Sequence, residues 1–140
     1  MSSSVEIGRA PTTVTFRSAS RERSDDPYAS GSLVVELRSE GLELVQSVFM
    51  ISFDWDALGS LFSDMAESWR GWDGEKEWSS LESHLRISAT SDHLGHCILN
   101  FTVQDHPEFT WRTIVHGLVL DAGEEMAALA EEIRLFIAAA

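Results

Sequence analysis

The amino-acid sequence predicts an α+β fold, in which one antiparallel sheet of about five to six strands carries two amphipathic helices on one face. Several short segments alternate apolar and polar residues, which is typical of half-buried strands. Two longer segments repeat apolar residues every three or four positions, which is typical of amphipathic helices. Because the strands come in runs before each helix, an antiparallel sheet is favoured. The length of 140 residues suits one domain.

The N-terminal segment is expected to be flexible. Residues 18–32 are rich in Ser, Asp, Gly and Pro and show no apolar period, as in a loop or disordered connection. Residues 12–17 alternate Val14 and Phe16 with polar residues and predict only a short strand at a sheet edge. We therefore predict a flexible segment over residues 1–30 and a single α+β domain over residues 31–140.

The first half of the predicted domain is a β-hairpin followed by a helix. Residues 33–39 and 42–53 are separated only by Glu40 and Gly41, and glycine suits the positive φ of a tight turn. Asp54 is predicted to cap the helix by accepting free amide hydrogens of its first turn. The apolar stripe of this helix comprises Trp55, Leu58, Leu61, Phe62, Met65 and Trp69.

The second half repeats this order with three strands and a helix. The strands are predicted over residues 84–90, 96–104 and 109–120, and the helix over residues 121–139, with Asp121 as its cap. Its buried stripe comprises Met126, Leu129, Ile133, Phe136 and Ile137. Since both halves end in strands, an aspartate and an amphipathic helix, the sequence suggests an internal repeat.

The net charge of -13 belongs entirely to the part of the chain after residue 38. Residues 1–38 hold five arginines and five acids, so residues 39–140 hold 18 acids against five bases. A field of this sign repels nucleic acids and anionic membranes and attracts cationic partners. The simpler alternative is that the acidic surface only keeps the protein soluble.

A cytoplasmic location is expected. No apolar run reaches the roughly 18 to 20 residues of a membrane helix, and the polar N-terminus lacks the apolar core of a signal peptide. The single cysteine, Cys97, excludes an internal disulfide, which fits a reducing compartment.

No motif of a common enzyme class is present, so we assign no catalytic residue, metal ligand or cofactor. His93 and His96 form an H-x-x-H pattern beside Cys97, but neighbouring residues of a strand point to opposite faces and bind one ion poorly. His106 and His116 could act as general bases, although no spacing selects either of them.

The densest group of candidate residues is the segment SWRGWDGEKEW at residues 68–78, here called the tryptophan loop. It contains Trp69, Trp72, Trp78, Asp73, Glu75 and Glu77. Tryptophan is enriched at binding hot spots, and the carboxylates would attract Arg or Lys of a partner. We predict a recognition loop with Trp72, between two glycines, as its exposed anchor. Alternatively, Trp69 and Trp78 belong to the core and the glycines only permit the turn.

The sequence resembles an uncharacterised bacterial domain-of-unknown-function family of small acidic proteins. The resemblance rests on R-G-W-x-G-x-x-x-W at residues 70–78, S-L-E at 80–82, D-x-x-G-H at 92–96 and G-E-x-M at 123–126. It implies a fold and no catalytic residues. The layout of strands and helices is also similar to that of immunity proteins against contact toxins.

These observations favour an acidic protein-binding module, an immunity or antitoxin-like protein that neutralises a basic toxin through the tryptophan loop. The partner is expected to be a basic protein rather than a nucleic acid or a membrane. Two alternatives remain open: a small accessory or scaffold protein that self-associates, and an enzyme without a recognisable motif. The sequence does not reveal the oligomeric state.

Overall fold

The chain forms two consecutive groups, each with four strands and a final helix. The computed structural model describes residues 3–140. The first group comprises β1 (Ser4–Arg9), β2 (Thr12–Arg21), β3 (Ser30–Ser39), β4 (Leu42–Ile51) and α1 (Ser52–Glu67). The second comprises β5 (Lys76–Ser79), β6 (Leu85–Ser91), β7 (His96–Gln104), β8 (Arg112–Asp121) and α2 (Glu124–Ala139). The same order of elements therefore occurs twice, as the suggested internal repeat requires.

The predicted α+β class is confirmed, but the single sheet of five to six strands is wrong. Strands β1 to β4 form one antiparallel sheet and β5 to β8 form another, each in sequence order. The chain leaves the first sheet through α1 before it enters the second. The helices contact each other; α1 also contacts β4 and β5, and α2 contacts β1, β2 and β8. Neither helix is long and apolar enough to cross a membrane among the residues described.

The N-terminal region is part of the fold, in contrast to the flexible segment expected over residues 1–30. Strands β1 and β2 occupy most of residues 4–21, and the connection to β3 shortens to residues 22–29. Residues 1 and 2 lie outside the described residues. Strand β2 pairs with both β1 and β3, so it is not an edge strand. A register shift after Arg17, where Ser18 has φ 54°, interrupts the alternation and explains why the sequence pattern ends early.

One hydrophobic core joins both groups. The inner faces of the two sheets meet at Phe16 of β2 and Phe101 of β7, whose ring centroids are 6.4 Å apart in an edge-to-face arrangement. The two helices meet at Trp55 and Phe136, whose ring centroids are also 6.4 Å apart. Because residues of both sheets and both helices form one buried cluster, each half covers the apolar face of the other.

The turn between β3 and β4 is confirmed. Ser39 pairs with Leu42 across Glu40 and Gly41, and Gly41 has φ 75°. Glycine adopts this left-handed conformation without steric cost, so the two-residue turn sets the register of the hairpin.

Asp54 is not the residue before α1, as the sequence predicts, but the third residue of the helix, from which its carboxylate still accepts a free amide at the helix start. The helix begins at Ser52, and the buried Asp54 Oδ2 accepts hydrogen bonds from the amides of Ile51 at 3.1 Å and Leu81 at 3.0 Å. The backbone carbonyl of Asp54 also accepts the indole N–H of Trp78 at 3.1 Å. Asp54 therefore links the first helix to the second sheet.

The cap predicted for α2 is also displaced. The helix begins at Glu124, after Gly123, and Asp121 lies just before it. The Asp121 carboxylate accepts the Gly123 amide at 2.6 Å, while the Asp121 amide donates to Glu125 at 2.7 Å. These bonds close the turn before α2, but they are not a capping box, because the N-cap residue is Gly123 and has no side chain to accept an amide.

Both apolar stripes form as predicted, apart from their last members. Trp55, Leu58, Leu61, Phe62 and Met65 are buried in α1, and Met126, Leu129, Ile133 and Phe136 are buried in α2. Ile137 is only partly buried against the core, and Trp69 lies beyond the end of α1 with its surface 53% exposed.

Candidate functional site

The tryptophan loop connects α1 to β5 and packs against the hairpin between β6 and β7. Gly71 has φ 109°, and a Cβ atom at this position would lie 2.7 Å from His93 Nδ1 and 2.9 Å from Ser91 Oγ. The Asp73 carboxylate lies 3.2 Å from His93 Nε2. Glycine is thus required where the loop touches the hairpin, which holds the acidic part of the loop in place.

The three tryptophans occupy different environments. Trp78 is buried in β5, whereas Trp72 is partly buried against the core, with Lys76 Nζ 4.9 Å from the centre of its ring. Trp69 is the exposed member, and the Arg70 guanidinium lies 4.6 Å from its ring centre. The expectation that Trp72 is the exposed anchor is therefore wrong, because the turn at Gly71 directs its ring back toward the core.

The carboxylates of the loop remain available to solvent. Asp73, Glu75 and Glu77 are exposed, and Glu75 and Glu77 lie on the same side because side chains alternate along an extended chain. A hydrogen bond with Glu77, together with desolvation and the negative charge of Glu77, raises the pKa of Glu75, while Arg86 acts in the opposite direction. Within residues 3–140, neither Glu75 nor Glu77 forms a salt bridge with Arg or Lys.

Two open grooves border these carboxylates. The larger, of about 630 Å³, lies between α1 and β5, which is an edge strand of the second sheet. Its lining includes Phe53, Leu61, Trp78, Asp56, Asp64 and Glu77. The smaller, of about 330 Å³, lies on the outer face of the second sheet, where Glu75 and Glu77 are joined by Arg86. Lys76 also lines the larger groove, where its Nζ lies 2.7 Å from Asp64 Oδ2, so this groove already holds one long cationic side chain of the protein's own. Asp56 and Glu77 form no salt bridge with Arg or Lys among residues 3–140, and an apolar floor beside such carboxylates suits the methylene groups and the charge of a second cationic side chain.

The H-x-x-H residues do not converge on one point. His93 faces Asp73, while His96 Nδ1 lies 2.7 Å from Asp92 Oδ2, and Cys97 is buried. Burial raises the pKa of the Cys97 thiol, and the negative charges of Asp92 and Asp121 raise it further. The contacts of His93 with Asp73 and of His96 with Asp92 stabilise the β6–β7 hairpin and its packing on the tryptophan loop.

Strong hydrogen bonds hold the carboxylate of Asp92 in this hairpin. The amides of Leu94, at 2.7 Å, and His96, at 3.1 Å, both donate to Asp92 Oδ1. The bond from Leu94 outweighs the effect of burial, and with the bonds from His96 it lowers the pKa of Asp92. The Asp92 carboxylate is thus already hydrogen-bonded to backbone amides of its own hairpin.

A cluster that the sequence analysis missed lies at one end of the second sheet. Glu82, His84 and His106 each place one potential metal-ligand atom within 4.8 Å of the others. The sequence contains a partial signal, since Glu82 and His84 form an E-x-H pattern. His106 joins them only through the pairing of β6 with β7, which local spacing does not reveal.

The resemblance to an uncharacterised family is confirmed by comparison with known proteins. No curated protein and no solved structure matches the chain. Residues 6–140 match a family of unknown function, and this range includes most of β1, all of β2 to β8 and both helices. The chain belongs to the family of unknown function DUF6228.

Proposed function

We propose that the protein is a cytoplasmic binding module for a basic protein, with Trp69, Asp73, Glu75 and Glu77 as its contact surface. The observation that carries this proposal is that the exposed carboxylates of Glu75 and Glu77 line the same groove of the second sheet, where the neighbouring Glu77 also raises the pKa of Glu75. Two carboxylates in contact repel each other when both are ionised, and a cation placed between them removes that repulsion. The surface thus favours an Arg or Lys side chain from a partner.

The surroundings of the pair support the same proposal. Many cations of the chain are already engaged, as in the pairs of Arg9 with Glu125, Lys76 with Asp64 and Arg134 with Glu131. The carboxylates of the loop therefore add to a field that steers a basic domain toward them. Trp69 belongs to the same loop and supplies a large exposed aromatic surface, with the Arg70 guanidinium beside its ring. The finer proposal is an immunity or antitoxin-like role, in which the bound partner is a toxin domain.

The test is affinity capture from the source organism, followed by kinetic measurements on the purified pair. We expect a basic partner whose association rate falls at least about 10-fold when the salt concentration rises from about 50 to about 200 mM. The double variant E75Q/E77Q should slow association, because it removes two charges at the contact. E124Q/E132Q is the matched control: it removes the same charge from the exposed face of α2 and should change the rate much less.

Three outcomes would contradict the proposal: no basic partner, association insensitive to salt, or equal effects of the two double variants. The toxin role has its own measurement, since co-expression of the wild-type protein should restore the growth of cells that produce the partner. If E75Q/E77Q binds weakly yet restores growth fully, neutralisation does not depend on this contact and the toxin role is wrong.

Binding should also weaken as the pH falls. A cationic partner requires Glu75 to be ionised, and the pKa of this group is raised in the free protein. The partner must therefore displace a proton wherever Glu75 is protonated, which lowers the affinity below that pKa. Calorimetric titrations between about pH 7 and about pH 4.5 should show proton release for the wild type and less for E75Q/E77Q. Equal proton release from both proteins would exclude Glu75 as the contact.

A further inference from the structure

Two loops of the second sheet bring a carboxylate and two imidazoles together. Glu82 and His84 belong to the β5–β6 loop, and His106 belongs to the β7–β8 loop. Both loops leave the same end of the sheet because β6 and β7 are antiparallel neighbours. The Gln104 amide donates to the His84 carbonyl at 3.0 Å, which extends the β6–β7 pairing up to the cluster. The backbone ladder thus sets how close the two histidines lie.

The two oxygens of Glu82 face different histidines. Oε1 lies 4.0 Å from His84 Nδ1, Oε2 lies 3.8 Å from His106 Nδ1, and the centres of the two imidazoles are 5.6 Å apart. Both oxygen–nitrogen distances exceed hydrogen-bond length. His84 Nδ1 is buried and has no hydrogen-bond partner within the described chain. A buried nitrogen left in this state is costly unless another ligand satisfies it.

We propose that Glu82, His84 and His106 bind a divalent transition-metal ion of the zinc type. Two histidine nitrogens and one carboxylate oxygen are a donor set that zinc uses in proteins. Bonds of roughly 2.0–2.2 Å in a tetrahedral arrangement place ligand atoms about 3.3–3.6 Å apart. Because the three ligand atoms lie within 4.8 Å of one another, their separations must shorten by up to about 1.5 Å when the ion binds. Imidazole ligands favour zinc and its neighbours over magnesium and calcium, and the ion provides the partner that His84 Nδ1 lacks.

The surrounding side chains hold the two loops in position. Gln104 is buried; its Nε2 donates to the Ser83 carbonyl at 2.9 Å, and its Oε1 accepts from Arg112 Nε at 3.0 Å. The ring of Phe109 stands edge-on to His106, with centroids 5.5 Å apart, and covers one side of the cluster. Such support around ligands orients them for the metal. Three protein ligands leave a fourth tetrahedral position for water.

A titration with zinc, in competition with a coloured chelator, tests this site on the full chain. We expect one zinc ion per chain, with an affinity that H106A and E82Q each lower by at least about 100-fold, more than the loss of a surrounding hydrogen-bond partner usually costs. H93A is the matched control, because this exposed histidine faces Asp73 and lies outside the cluster. Cobalt should give the visible absorption of a tetrahedral site in the wild type and lose it in H106A.

Melting temperatures measured with and without zinc distinguish a failure of the zinc site from a failure of the acidic contact surface. Zinc should raise the melting temperature of the wild type and of E75Q/E77Q, but not that of H106A. Thermal unfolding without metal shows whether H106A keeps its fold, and E82Q provides a second variant of similar shape. The proposal is overturned if the wild type binds no stoichiometric zinc, or if H106A and E82Q both bind as tightly as H93A does.

Discussion

Replacing Asp54 by alanine is expected to lower the free energy of unfolding by about 2–4 kcal/mol. The carboxylate accepts the buried amide of Ile51 and the partly buried amide of Leu81, and D54A would leave both donors without this partner. An unsatisfied buried donor costs about 1–3 kcal/mol, and the loss of an ordinary hydrogen bond costs about 0.5–1.5 kcal/mol. Urea unfolding followed by circular dichroism measures the change.

Two further variants define the origin of this effect. D54N keeps one carbonyl oxygen that can face both amides, so its loss of stability should be smaller than that of D54A. D56A removes an exposed carboxylate two residues along the same helix and should change the stability by less than about 0.5 kcal/mol. If D54A and D56A have the same stability, the buried hydrogen bonds of Asp54 do not hold the two halves together.

The second large effect concerns Phe16, which lies in the region that the sequence predicts to be flexible. F16A is expected to lower the free energy of unfolding by about 3–5 kcal/mol, because the ring is fully buried against Phe101 and its removal leaves a cavity. A flexible N-terminal segment would instead tolerate the substitution. Equilibrium denaturation distinguishes the two cases.

The control for F16A is an exposed residue of the neighbouring strand. Glu6 pairs with Thr15 across β1 and β2 but points to solvent, so E6A should leave the stability nearly unchanged. A neutral F16A would mean that the first two strands do not contribute to the core.

Strong local signals predicted both helices and most strands, but not β1, β5 or the way in which the strands pair. The Glu40–Gly41 turn and the stripe from Trp55 to Met65 follow from patterns within a few residues. The separation into two sheets depends on which apolar faces meet, as at Phe16 and Phe101, and no local pattern contains that information. Strand β5 escaped prediction because four residues are too few to show a period.

The candidate sites also combine features that the sequence shows with features that only the tertiary structure shows. The acidic and aromatic composition of the tryptophan loop is visible in the sequence, but the exposure of Trp69 rather than Trp72 depends on the close approach of Gly71 to His93. The cluster of His84 and His106 depends on strand register, which sequence spacing does not reveal. Composition thus located the loop, while tertiary contacts determined which of its residues reach the surface.

The two proposed sites depend on both repeats of the fold. The histidine cluster lies in loops of the second sheet, whereas the groove beside Glu77 is lined by α1 of the first repeat as well as by β5 of the second. Asp54 joins the same two repeats, because its carboxylate accepts the Leu81 amide beside Glu82. A duplicated architecture with a shared core thus creates surface at the seam between the copies that neither copy would form alone.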